Sequence, residues 1–215
     1  MDVLCISASN IMHIDSSDSV SYKMCKIAIS EMKKRIRIDN HRIIELRKYN
    51  ISPCVGCGEC FCSNRCIVKD DFNEVYEKII NSDIIIIVSP HYAPIPAKLA
   101  ALLEKMEQIT FLKWGKDNSY KSEVYGKPVG VISHGGGETW ALQSYKEMVN
   151  DTIANALETI QLKIVPLNND WNTGISLSVK KALFIEESIF PHQEYDWDLI
   201  TAEISVYAEK ISKMV

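Results

Sequence analysis

Apolar residues along this chain fall into two alternating patterns. Short continuous runs have the length of buried strands: "DVLCIS" at 2–7, "RIIEL" at 42–46, "DIIIIVSP" at 83–90 and "LKIVPL" at 162–167, and "KPVGVISHGGG" at 127–137 reads as another strand running into a glycine loop. Longer segments between them repeat apolar residues at helical spacing. Val20, Met24, Ile27 and Ala28 share one face, and Lys33, Lys34 and Arg35 follow where basic residues suit a helix C-terminus. "DDFNEVYEKIIN" at 70–81 opens with acidic residues, as a helix start should. "PAKLAALLEKMEQ" at 96–108 has Pro96 near its start and Leu99, Leu102, Leu103 and Met106 on one side. "ETWALQSYKEMVNDTIANALETI" at 138–160 reads as one long helix, and Ile200, Ile204, Tyr207, Ala208 and Ile211 line a last one.

Strand and helix signals in alternation predict an α/β chain with a doubly wound parallel sheet. The uninterrupted aliphatic run at 83–90 is the pattern of a central strand covered on both faces. Five strands fit the flavodoxin-like order 2-1-3-4-5, with helices on both faces. The expectation is a single domain over 1–215, with a cysteine-rich insertion loop at about 53–67 and an irregular segment at about 168–193 that serves as a flap or an oligomer contact. Ligands of such sheets lie at the carboxyl ends of the strands, so the loops after strands 1, 3 and 4 are where function is sought.

Composition adds limits. The chain has 215 residues, 47% hydrophobic and 24% charged, with a formal net charge of -4. That charge implies no general attraction to nucleic acid. The longest aliphatic run, "IIIIV", is too short to cross a bilayer. The start, "MDVLCISASN", lacks the cationic and apolar regions of a signal peptide, so a cytoplasmic location with reduced thiols is expected.

Each of the three loops carries chemistry. "SASNIMHIDSSDSVS" is rich in hydroxyls and leads into a helix N-terminus, an arrangement that binds phosphate or simply caps the helix. It holds neither Gly-x-x-x-x-Gly-Lys nor Gly-x-Gly-x-x-Gly. "SPHYAPIPAK" gives rigid proline backbone and the ring of Tyr92, against which a flat heterocycle or the next helix could pack. "SHGGGETW" offers three glycines whose backbone N–H groups could reach a ring carbonyl, beside His134 as a further donor; the alternative is a plain turn.

Five of the seven cysteines lie within "PCVGCGECFCSNRC". Cys54, Cys57, Cys60 and Cys66 give C-x2-C-x2-C-x5-C, closer to iron–sulfur than to zinc ligation, which usually pairs separated knuckles. Gly56 and Gly58 let such a turn fold around a cluster. A packed loop of reduced thiols is the other reading. Cys62 is a spare ligand or a bystander, and Cys5 and Cys25 fall in the core.

Taken together, "CISAS", "SDSVS", "SPHYAPIPAKLAALLEK" and "GKPVGVISHGGG" resemble the NAD(P)H-dependent FMN reductase-like branch of the flavodoxin-like fold. The stretch from Pro53 through Tyr92 resembles its iron–sulfur flavoprotein subgroup more specifically. The likeness runs from about Asp2 to Thr139 and departs at Ala8-Ser9-Asn10-Ile11, where members usually carry Gly-Ser-Pro-Arg. The resemblance implies FMN. Its phosphate would lie on Ser9, Ser17, Ser19 and Ser21, and its isoalloxazine between Ser89, Pro90, His91, Tyr92 and Ala93 and the loop His134, Gly135, Gly136 and Gly137. It also implies a [4Fe-4S] cluster on Cys54, Cys57, Cys60 and Cys66, NAD(P)H as electron donor, a homodimer or homotetramer, and a small-molecule acceptor or redox protein as partner, with no nucleic acid and no membrane. Three functions compete: an FMN-dependent oxidoreductase, an electron-transfer iron–sulfur flavoprotein reduced by a ferredoxin-type donor, and a non-enzymatic flavin-binding redox sensor.

Overall fold

The computed structural model describes residues 1–11, 19–92, 94–186 and 191–215. Strands β1 (Asp2–Ser7), β2 (Asn40–Glu45), β3 (Ile84–Pro90), β4 (Pro128–His134) and β5 (Lys163–Ile164) form a parallel sheet in the order β2-β1-β3-β4-β5. This is the expected flavodoxin-like order. Alternate residues of each strand point to opposite faces. Leu4, Ile6, Ile85, Ile87, Val129 and Val131 face a core closed by α3 (Phe72–Ile80), α4 (Ala97–Trp114) and α6 (Asp151–Thr159). Val3, Cys5, Ile84, Ile86, Val88 and Ile132 face a second core closed by α1 (Val20–Lys33) and α7 (Trp197–Ser212). Cys5 and Cys25 both lie in this second core, and burial pushes the Cys25 thiol up.

The fifth strand differs from expectation. Of "LKIVPL" only Lys163 and Ile164 pair with β4, and the ladder then breaks. The cause is local. Val131 N–H donates to the Tyr207 hydroxyl (3.1 Å), which itself donates to Val165 C=O (2.7 Å). A side chain of α7 thus bridges the gap between the strands. The same edge resumes as β6 (Ile175–Leu177), which pairs in parallel with Ile132–His134. Gly174 makes that return possible: its φ is +123°, and a Cβ there would stand 2.1 Å from the Val131 carbonyl oxygen.

The segment expected to be irregular is therefore partly sheet. It holds β6 and a hairpin of β7 (Lys181–Leu183) and β8 (His192–Glu194). The long helix expected at 138–160 is also interrupted. A 3-10 turn, Thr139–Ala141, leads into α5 (Leu142–Tyr145), and a π turn at Lys146–Asn150 joins it to α6. The π turn carries the buried Asn150, whose side-chain amide donates to Ile175 C=O (3.1 Å) and so pins β6. Among the described residues, no helix is long and apolar enough to cross a membrane.

Candidate functional site: a three-loop crevice and a cysteine pocket

Strands β1, β3 and β4 end in register, with Ser7 opposite Val88, Ser89 opposite Ser133, and Pro90 opposite His134. The loops that follow them emerge at one edge of the sheet. His134, the last residue of β4, ties them together. Its Nε2 lies 2.7 Å from Ser21 Oγ in the first turn of α1, and its backbone oxygen accepts the N–H of His91 at 2.8 Å. Burial lowers the His134 imidazole to about 4, so it is neutral near pH 7.

The serines are placed as follows. Ser19 is the N-cap of α1, its side chain accepting from Tyr22 N–H. Ser21 is fully buried and paired with His134. Ser9 follows β1, with its Oγ accepting from Ile11 N–H at 3.4 Å. Ser17 lies outside the described residues, and so does Ala93 of the second loop. Ser89 is buried and donates to Pro90 C=O (3.1 Å). Tyr92 is exposed at the edge, its N–H donating to Pro94 C=O (2.8 Å). The Nε2 of His91 is buried and has no hydrogen-bond partner among the described residues. A buried polar atom of this kind normally has one.

The glycine loop is packed from above by residues that sequence reasoning missed. Tyr145 of α5 accepts the Gly137 N–H through its hydroxyl at 2.6 Å, and its ring stands 5.6 Å from that of His91. The Gly137 N–H, expected as a donor to a ring carbonyl, is thus engaged within the chain. A Cβ on Gly135 would meet the Tyr145 hydroxyl at 2.4 Å, so glycine is what admits the phenol. A Cβ on Gly136 would meet Gln193 Nε2 of β8 at 2.6 Å, and Tyr195 holds that amide by donating its hydroxyl to Gln193 Oε1 (2.5 Å). Val179 N–H donates to Gly137 C=O (3.1 Å). Burial, with the Tyr145 and Tyr92 phenols nearby, pushes the Tyr195 phenol up to about 12. Val179, and Gln193 of β8, therefore pack against the glycine loop. The serine and glycine positions were readable from the loops themselves. Tyr145, Gln193 and Tyr195 become neighbours only through the fold, and no local pattern marks them.

The cysteine stretch forms a separate feature. Gly56 and Gly58 have φ of +66° and +74°, the left-handed conformation that a tight turn needs and glycine supplies. Cys60–Ser63 is one helical turn (α2). Cys54, Cys57, Cys60 and Cys66 line one pocket, partly open to solvent, together with Ile67, Lys105 and Gln108. Cys62 does not line it. Burial raises the Cys60 thiol, and the thiols of Cys54, Cys57 and Cys66 raise it further. Among the described residues, no three His, Cys, Asp or Glu side chains are already drawn together as a metal site. The four cysteines singled out by spacing nevertheless surround one space, and the fifth stands outside it. That donor set fits a four-thiolate cluster.

Comparison with known proteins agrees with the architecture. The family described as NADPH-dependent FMN reductase matches residues 1–171. An iron-sulfur flavoprotein of Methanosarcina thermophila is 32% identical over 102 residues, covering 46% of this chain and 51% of the relative. The chain thus spans about half the length of the curated relatives it matches. Among solved structures, RosB with a bound 8-demethyl-8-formylriboflavin-5'-phosphate intermediate is similar at a TM-score of 0.66 and 14% identity, over 100% of this chain and 78% of that one. An FMN-dependent NADH-azoreductase from Bacillus anthracis in complex with FMN gives 0.54 and 16%, over 99% and 100%. At these identities the structural likeness is one of fold.

Proposed function

The chain belongs to the NADPH-dependent FMN reductase family, and from that premise we propose that it is a flavin oxidoreductase. It binds FMN at the carboxyl ends of β1, β3 and β4 and passes electrons from NAD(P)H to a small acceptor or to an iron–sulfur cluster. The observation that carries the reading is that His134 joins the first turn of α1 to the second loop at the ends of β3 and β4, with the buried Nε2 of His91 at the same edge left without a partner among the described residues. The N-terminus of α1 favours an anionic phosphate. The proline backbone of the second loop and the Tyr92 ring offer a flat wall for an isoalloxazine. When bound, the flavin supplies the hydride and electron chemistry. The chain's own part is to orient the ring, and His134, neutral near pH 7, adds no charge beneath it.

A second reading draws on the cysteine pocket. Electron transfer through a cluster on Cys54, Cys57, Cys60 and Cys66, with a ferredoxin-type protein as donor, suits a chain similar to proteins named iron-sulfur flavoproteins. Anaerobic purification separates the two. Flavin that bleaches on mixing with NADH or NADPH supports the oxidoreductase. Flavin reduced only by a protein donor supports the second. Protein that neither carries FMN nor takes it up overturns both.

A further inference from the structure

Lys105 is the one lysine that is fully buried among the described residues. It sits on α4 with its side chain 1% exposed, and its ammonium lies 2.6 Å from Asp70 Oδ2, itself 3% exposed. Ser52 Oγ is 3.4 Å away and the Phe72 ring 5.4 Å. Asp70 has three other donors: the Ser52 N–H (2.9 Å), the Ser52 hydroxyl (2.6 Å) and the Phe72 N–H (3.0 Å). Burial alone would push its carboxyl up, but Lys105 and these donors bring it down to about 2. The carboxylate would be well satisfied with a neutral fourth partner. Placing a full ammonium here is expensive to desolvate, which makes a lysine the unexpected choice.

The pair also has a direction. Lys105 lines the pocket with the four cysteines, and Asp70 does not. Of the two members of the pair, the lysine is therefore the one whose side chain contacts the pocket. On the same helix the Glu104 carboxylate accepts the Cys54 N–H at 2.9 Å and so anchors the first cysteine of the motif. We propose that Lys105 is a positioning residue for the cysteine pocket, its ammonium fixed by Asp70 so that it favours the reduced state of an iron–sulfur cluster held there. A four-thiolate cluster is negatively charged, and taking up one electron adds one more negative charge. Its potential responds to net charge and to nearby dipoles. The inference rests on the cluster reading above.

The test uses the full chain, purified and reconstituted without oxygen. Iron is counted first, and the midpoint potential is then followed in a dithionite titration by the visible and paramagnetic signals of the cluster. Lys105→Met, and Lys105→Met combined with Asp70→Asn where the single variant folds poorly, should retain iron and shift the potential to more negative values. Asp70→Asn alone should shift it to more positive values, and Lys105→Arg should hold it near that of the unaltered chain. A merely structural lysine would change iron yield or melting temperature without moving the potential of the loaded protein. Iron-loaded variants with an unmoved potential would overturn this role and leave the cluster standing. An unaltered chain that takes up no iron overturns the cluster reading, and this inference with it.

Discussion

The imidazole Nε2 of His134 and the hydroxyl of Ser21 meet at 2.7 Å, joining the end of β4 to the first turn of α1 beneath the crevice. The histidine is buried, and burial holds it at about 4, against 6.5 for the free side chain. An unfolded chain therefore takes up a proton between about pH 6.5 and 4 that the folded chain resists. Stability falls as pH drops through that window, by up to about 3 kcal/mol for this group. Urea unfolding of the apoprotein at pH 7 and pH 4.5 should show the loss, and His134→Gln should remove much of its pH dependence.

The same contact separates two serines that look equivalent in the sequence. Ser21 is fully buried and engaged with His134, and losing its hydroxyl strands a buried ring nitrogen. Ser21→Ala should lower stability by about 1–3 kcal/mol. Ser9, whose hydroxyl among the described residues makes a long contact to Ile11 N–H, is less firmly engaged there. Ser9→Ala should weaken FMN binding by about tenfold, the loss of one charge-assisted hydrogen bond of about 1.5 kcal/mol, with little change in melting temperature. Flavin fluorescence titration beside thermal unfolding distinguishes the two. Equal effects of both substitutions on FMN affinity would mean that Ser21 turns toward the phosphate.

Two glycines should behave in opposite ways. At Gly174 a new Cβ meets the Val131 carbonyl oxygen at 2.1 Å, and the backbone φ of +123° disfavours any side chain. Neither the strand nor the turn can move without breaking the β4–β6 pairing. Gly174→Ala should cost about 3 kcal/mol or more. At Gly136 the obstacle is the end of the Gln193 side chain, which can swing away. Gly136→Ala should leave unfolding nearly unchanged while altering the flavin spectrum. Circular dichroism melts of both variants check the contrast.

These glycines also mark the limit of what the sequence made readable. β1, β3 and β4 stood out because each is an aliphatic run buried on both faces; the structure has β1 at its expected bounds, β3 one residue shorter, and β4 extending to His134 at the start of the glycine loop. The fifth position did not. Pro166 has no N–H to offer a ladder, and Ile175–Leu177 is too short to show a strand period. What holds those pieces to β4 is the Tyr207 hydroxyl and the missing Cβ of Gly174, contacts spanning more than forty residues in each case. The site follows the same rule. His134 and the glycines were marked by their own loop, but Tyr145 reaches Gly137 because a helix folds back, and Gln193 reaches Gly136 through a hairpin.

The cysteine pocket gives the sharpest division among chemically identical residues. Cys54, Cys57, Cys60 and Cys66 line one space, and the exposed Cys62 lies outside it although only one residue separates it from Cys60. If the space holds a cubane cluster, anaerobically reconstituted protein should contain about four irons per chain. Serine at any of the four positions should lower that iron substantially, since an alcohol is a poor ligand beside a thiolate. Cys62→Ser should leave it nearly unchanged. Flavin content should survive in all five variants, because the crevice at the strand ends is built from Ser9, His91, Tyr92 and the His134 loop and shares no residue with the pocket. Iron assay and flavin absorbance on the same samples check both halves. Reconstituted protein with intact thiols, full flavin and no iron would identify the stretch as a packed turn. Iron lost equally from Cys62→Ser would mean that the ligand set differs from the one the spacing and the pocket select.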